Sequence, residues 1–322
     1  MAGDEYALIR RYFQDLTAAR DDVVRGIGDD AAVLTVPAGH ELVVSTDTLV
    51  CDVHFPAATA PADIGFKSLA VNLSDLAAMG AEPRWATLAL TLPAADASFL
   101  EPFCRGFAES ARDQCVALVG GDLTRGPLSI TVQIMGTVPA GAALLRSGAR
   151  PGDQIWVTGE LGSAALGLAL VQGRHPGLGS EFDACVRRLN RPEPRVHAGL
   201  LLRDVASAAI DVSDGLFTDL NHVMRASGVG AQVELARLPL GAALMALSGE
   251  PERWQYALGG GDDYELCYTV PAAQAAGLAW RLQASGCAAT CIGAVTTGTG
   301  VRWLSAGGAP VDFSGSTGFQ HF

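Results

Sequence analysis

Apolar residues near the start of the chain recur at helical spacing: Leu8, Ile9, Tyr12, Phe13 and Leu16 predict a short helix over 5–20. The glycine-punctuated turn Gly26-Ile27-Gly28-Asp29-Asp30 leads into β-like runs at 31–36 and 41–47. The helical period returns over 62–80, with Ile64, Leu69, Val71, Leu73, Leu76 and Met79 on it, and stops at Gly80. A strand at 85–92, a helix at 97–115 and strands at 116–119 and 129–138 complete a first α+β unit of at least four strands.

The stretch 139–152 is rich in Gly, Ala and Pro and precedes a fresh strand at 154–158, so the predicted domains are 1–138 and 139–322. In the second, Gly159-Glu160-Leu161-Gly162-Ser163 opens a helix to 171, and a polar Pro/Arg-rich stretch follows at 190–195. Helices at 196–206 and 215–227 and strands at 208–212, 231–235, 264–270 and 290–295 complete the pattern. No short-period repeat interrupts it.

Composition narrows the class. At 322 residues, two medium domains or one large α/β unit are expected. With 49% hydrophobic and 17% charged residues and 38 glycines, the chain suits tight turns between buried elements and not disorder. The net charge is −12 and no Lys/Arg-rich run occurs, which argues against a nucleic-acid partner. Seven scattered cysteines, an odd number with no C-x-x-C, argue against a disulfide framework, and Cys287 and Cys291 lack the second ligand pair that a zinc site needs. No signal-type apolar run and no membrane-length stretch is present, so a cytoplasmic protein without a membrane partner is expected.

The chemistry lies in where the aspartates fall. Asp29, Asp30, Asp47, Asp75, Asp122, Asp211 and Asp214 follow short apolar runs and precede a glycine, a small residue or a new helix. Taken singly, each is an ordinary turn or N-cap. Taken together, they predict carboxylates converging at strand ends, where their mutual repulsion requires bound cations. Magnesium, a hard ion that shares carboxylates with substrate phosphates, fits such a set, and phosphoryl transfer needs little from the protein beyond positioning and charge neutralisation.

Phosphates also need direct contacts. Gly120-Gly121-Asp122 offers backbone amides, and Arg146 stands in the AALLRSGARPGD stretch, either as a phosphate contact or as a surface arginine. The P-loop pattern, a strand-to-helix G-x-G-x-x-G and the H-R-D and D-F-G signals are all absent. His54 in CDVHF is either a plain core or surface histidine or a contact for an anionic substrate group. Lys67 is either a solvated helix position or a phosphate contact.

The segments GIGDDAAVL (26–34), STDTLVCDVHF (45–55), KSLAVNLSDLAAMGAEP (67–83), GGDLTRGP (120–127), LLRSGARPGD (144–153), AIDVSDGL (209–216) and GGGDDYELC (259–267), with the closing GFQHF, resemble the bacterial thiamine-monophosphate kinase family. Each motif is weak alone, and the series runs in order along nearly the whole chain. That family is similar to aminoimidazole ribonucleotide synthetase and selenophosphate synthetase. The resemblance implies an α+β, two-domain aminoimidazole ribonucleotide synthetase-like fold, with an N-terminal domain that binds ATP and magnesium and dimerises through its sheet, and a C-terminal α/β domain. It implies a homodimer that transfers phosphoryl from ATP to thiamine phosphate in line, with several Mg²⁺ ions and no phosphoenzyme. Carried over by motif, Asp30, Ser45, Thr46, Asp47, Asp75, Asp122, Asp211 and Asp214 would bind metal, with Asp30, Asp75, Asp122 and Asp214 central to catalysis. Gly121, Asp122, Arg146 and Ser213 would contact ATP, and His54, Asp262 and Phe319 the thiamine phosphate. Asp262 stands where the family commonly has Glu, one methylene longer, and Phe319 where Trp or Tyr is frequent.

Two other readings compete. Another ATP-dependent member of the superfamily would activate a different acceptor; selenophosphate chemistry wants a reactive Cys and Lys near the N-terminus, and residues 1–28 contain neither. A non-catalytic thiamine-phosphate or nucleotide-binding module would be expected to have lost some of the metal aspartates, and none of the matched positions is substituted.

Overall fold

The computed structural model describes residues 5–175, 182–247 and 249–313. The chain divides into two compact units, Met1–Leu76 with Ala81–Gly141, and Ala77–Gly80 with Ala142–Phe322.

The first unit opens with α1 (Glu5–Tyr12), shorter than the predicted 5–20. The chain leaves the helix early, and the Thr17 hydroxyl goes on to accept the Leu118 N–H at 2.8 Å. The short strands β1 (Val23–Arg25) and β2 (Val33–Leu34) pair with each other. Then come β3 (His40–Val50), α2 (Pro61–Ala78), β4 (Glu82–Leu92), α3 (Ala97–Asp113), β5 (Ala117–Arg125) and β6 (Ser129–Pro139). The sheet order is β3-β6-β4-β5, with β3 and β5 on opposite edges.

Helix α2 is buried along nearly its whole length, so Lys67, at 2% exposure, is not a solvated position. Its backbone touches that of α3: a Cβ on Gly65 would fall 2.0 Å from the Phe103 carbonyl oxygen, and one on Gly106 would fall 1.8 Å from that of Ala62. Strand β5 runs on through Gly120-Gly121-Asp122, past residue 119 where the predicted strand ends. Gly121 permits this at φ +150, because a Cβ there would sit 1.9 Å from the Leu88 carbonyl oxygen.

The second unit contains β7 (Asp153–Thr158), α4 (Ser163–Val171), α5 (Asp183–Asn190), α6 (Val196–Leu202), β8 (Ala208–Val212), α7 (Leu216–Ser227) and β9 (Gly230–Glu234). It continues with α8 (Ala242–Ala246), α9 (Glu250–Gly259), β10 (Glu265–Pro271), α10 (Ala272–Ala284), β11 (Ala289–Thr296), β12 (Gly300–Leu304) and β13 (Pro310–Val311). The order β13-β12-β9-β11-β7-β10-β8 makes a mostly antiparallel sheet, and only β12 and β9 pair in parallel. Ile155, Val157, Ile210, Leu216 and Leu220 lie in its core.

One charge network is buried with that core. Glu265 accepts both Nε and Nη2 of Arg195 at 2.7 Å and the Thr158 hydroxyl at 2.7 Å, with Arg188 at 3.3 Å. A fully buried carboxylate is tolerable only with partners of this quality. All seven cysteines are free thiols, and among the described residues no helix is long and apolar enough to cross a membrane.

Candidate active site

In the first unit, the period-2 alternation of β3 sorts the candidates onto two faces. Ser45 and Asp47 share the side of Val43 and Leu49, which faces α2; Thr46 lies with Leu42, Val44 and Thr48 on the exposed side. The contact with α2 is direct. The Ser45 hydroxyl donates to Asp75 Oδ2 at 2.5 Å, and the Asp47 N–H donates to Asn72 Oδ1 at 3.1 Å. Asn72 and Asp75 are one helical turn apart, which brings both to the strand.

Asp122 sits in β5 opposite Ala89 and accepts the Thr124 hydroxyl at 2.6 Å. It is three strand spacings, about 14 Å, from β3, nearly level with Asp47 across the sheet. The structure therefore gathers Ser45, Asp47 and Asp75 at one edge and holds Asp122 on the other. Asp30 is exposed after the Gly28 turn, and its N–H bonds to the Asp29 carboxylate at 3.0 Å.

His54 is fixed in a tight turn, its Nδ1 accepting the Val50 N–H at 3.0 Å. When neutral, its proton is therefore on Nε2, which makes that atom a donor.

In the second unit, Asp211 lies in β8, 4% exposed, opposite Leu266 of β10. Strand β8 ends in the turn Ser213-Asp214-Gly215 that begins α7. Two groups hold this turn: the Asp219 carboxylate accepts the Ser213 and Asp214 N–H groups at 3.1 Å each, and the Ser213 carbonyl accepts the Asp262 N–H at 2.9 Å. Burial and the charge of Asp214 push the Asp219 pKa up to about 7, while Arg146 acts the other way. The same charges reach His222, whose pKa is lowered by burial and by Arg146 and Arg225. Arg146 and Asp214 thus both act on Asp219 and His222, and the Arg146 carbonyl accepts the Ser227 hydroxyl at 3.3 Å.

Asp262 has a left-handed backbone, φ +67, and its Oδ1 accepts the Tyr264 hydroxyl at 3.0 Å. For a non-glycine residue that conformation costs energy and persists only where the surroundings enforce it. The next residue, Asp263, is buried and takes the Gly162 N–H on both oxygens, at 2.8 and 3.0 Å; burial raises its pKa well above the usual carboxylate range. Phe319 and the GFQHF segment lie outside the described residues.

The donor set suits magnesium, since every candidate ligand is an oxygen. Among the described residues no group of three or more His, Cys, Asp or Glu side chains is gathered tightly enough to cage an ion. Magnesium does not require one, because it is commonly held by one or two carboxylates together with substrate phosphates and water. Ser45, Asp47 and Asp75 fit that pattern.

Asp219, Asn72 and Tyr264 support the candidate residues and are not among those the sequence singles out. Asp219 had a signal: a carboxylate four residues after the glycine that heads a helix can reach back over the first turn to the N–H groups of the residues just before that glycine.

Comparison with known proteins places this architecture. Residues 28–138 match the AIR synthase related protein N-terminal domain, and residues 150–303 match the corresponding C-terminal domain. The thiamine-monophosphate kinase of Salmonella typhimurium is 48% identical over 324 residues, covering 100% of this chain and 99% of that one. The crystal structure of thiamine-monophosphate kinase from Stenotrophomonas maltophilia superposes with a TM-score of 0.87 at 48% identity, covering 94% of this chain and 97% of that one. A ThiL solved with AMPPCP and TMP superposes at 0.77 with 30% identity, covering 89% of each. Agreement of this extent across both domains means that the chain belongs to the thiamine-monophosphate kinase family of AIR synthase related proteins.

Proposed function

We propose that the chain transfers the γ-phosphoryl group of ATP to the phosphate of thiamine monophosphate, giving ADP and thiamine diphosphate. The observation that carries this reading is the full-length 48% identity to a thiamine-monophosphate kinase. An acceptor phosphate oxygen attacks the γ-phosphorus as the bond to the ADP oxygen breaks, so no protein nucleophile is required. Magnesium, when bound, neutralises the phosphate charge that would otherwise repel the incoming anion.

In the first unit, we assign Asp30, Ser45, Thr46, Asp47, Asp75 and Asp122 to metal and Gly121 with Asp122 to ATP. In the second, we assign Asp211 and Asp214 to metal and Ser213 and Arg146 to ATP. The hard-oxygen set of Ser45, Asp47 and Asp75 supports those three assignments, and the charges of Arg146 and Asp214 that both reach Asp219 support the second. His54, Asp262 and Phe319 are assigned to thiamine monophosphate. The Nε2 proton of His54 suits an anionic phosphate, and the enforced backbone of Asp262 suits a fixed contact. We assign 1–138 to ATP and magnesium binding and to a homodimer interface, supported by Leu42 and Val44, each 48% exposed on one face of an edge strand.

The test is product identification after incubation with ATP and Mg²⁺, with thiamine monophosphate and free thiamine offered separately. Thiamine diphosphate and ADP in equal amounts, from the monophosphate alone, is the expected result. ADP without thiamine diphosphate, or a phosphorylated product from free thiamine, would refute the assignment.

A further inference from the structure

Asp219 is 3% exposed in the first turns of α7, and a single oxygen of it, Oδ2, accepts both the Ser213 and the Asp214 N–H. The turn is held from its other side as well. The Ser213 carbonyl accepts the Asp262 N–H, and the Val212 carbonyl accepts the Tyr264 N–H, both at 2.9 Å. Gly215 closes it at φ +109, where a Cβ would come within 2.7 Å of the Leu258 carbonyl oxygen. An apolar side chain would fill the space of Asp219 without the cost of burying a carboxylate, so packing alone does not account for the residue.

We propose that Asp219 is a positioning residue: by gripping the two successive N–H groups, it fixes the directions in which the Ser213 and Asp214 side chains leave the turn. The proposal rests on the assignment of those two side chains to ATP and its metal. Asp219 touches neither ligand. Because both bonds end on one oxygen, the geometry requires an acceptor there and not a charge. The Asp262 side of the turn keeps its own support when Asp219 is lost, so the effect should fall on ATP and spare the acceptor.

The experiment compares wild type, Asp219→Ala and Asp219→Asn in steady-state kinetics, in affinity for a non-hydrolysable ATP analogue and in amide exchange over 211–216. Asp219→Ala is expected to raise KM for ATP about tenfold with KM for thiamine monophosphate within about twofold of wild type. Its Ser213 and Asp214 amides should exchange faster. Asp219→Asn, whose amide oxygen can take both N–H groups, is expected to bring KM for ATP back to within about threefold. A lower melting temperature with an unchanged KM for ATP in the alanine variant would make Asp219 a plain helix cap and overturn the proposal. An asparagine variant as impaired as the alanine one would overturn it too, by showing that the charge itself is needed. If Asp219→Ala does not fold, Asp219→Ser, too short to span both amides, is judged by the same outcomes. Absence of turnover in wild type would sink the kinase reading alone, since analogue affinity and amide exchange still decide the role of Asp219.

Discussion

The β3–α2 contact of the first unit and the Ser213–Gly215 turn of the second hold oxygen ligands in opposite ways. In the first, two proposed ligands hold each other, the Ser45 hydroxyl donating to Asp75. In the second, the turn is gripped through its backbone by Asp219, which is not among the proposed ligands, and its carbonyl side is held by Asp262. Helix α2 pairs its own backbone groups and β3 pairs with β6 along its length, with Asn72 taking the outward Asp47 N–H, so side chains on them need only a neighbour. A turn at the head of a helix has open N–H groups, and its ligands are only as well placed as whatever satisfies those groups. The second arrangement also rests on a deeper layer, since β10 carries both the Glu265–Arg195 pair and the pairing with β8 that leads into the turn.

The largest effects should come from carboxylates of the first unit, one in the β3–α2 contact and one on the far edge of the sheet. Asp75→Ala and Asp122→Ala are each expected to lower kcat/KM by about 10⁴-fold with little change in melting temperature, because these carboxylates support charge and fill no core. Turnover near wild type in either variant would remove that residue from the site. Next is the layer beneath the turn: Arg195→Met strands a buried carboxylate and should cost about 3 kcal/mol in denaturant unfolding. An unchanged unfolding midpoint would show that Thr158 and Arg188 suffice. Arg146→Ala should raise KM for ATP about tenfold, and an unchanged KM would reduce it to a surface charge. Ser45→Ala is the mildest, about threefold in kcat/KM, because Asp75 keeps its carboxylate; a loss as large as that of Asp75→Ala would mean the hydroxyl is itself an essential ligand.

Much of this was legible in the residues. The strand at 208–212 and the helices ending at 171 and 227 agree with β8, α4 and α7, because apolar runs bounded by glycine or a helix start leave little ambiguity. The apolar pattern predicts no helix at α10: its sequence is alanine-rich, and its largest side chain, Trp280, is 72% exposed, so the stripe has little contrast. The predicted strand stops at 119 because glycine pairs usually mark a turn; only the approach of Leu88 explains glycine inside a strand. The aspartates stand out in the sequence as candidates. What the sequence could not supply was which of them share a face, since that depends on sheet order: β5 lies at the far edge from β3, and nothing in the residues of either strand encodes that.

The central claim is that hard-oxygen side chains bind the triphosphate through divalent cations, and calorimetric titration of a non-hydrolysable ATP analogue with and without Mg²⁺ tests it most directly. The account predicts that Mg²⁺ tightens binding at least about tenfold in wild type, that Asp75→Asn abolishes the gain, and that Arg146→Ala weakens binding while keeping it. Equal affinity in the presence and absence of Mg²⁺, or a gain that survives Asp75→Asn intact, would contradict it.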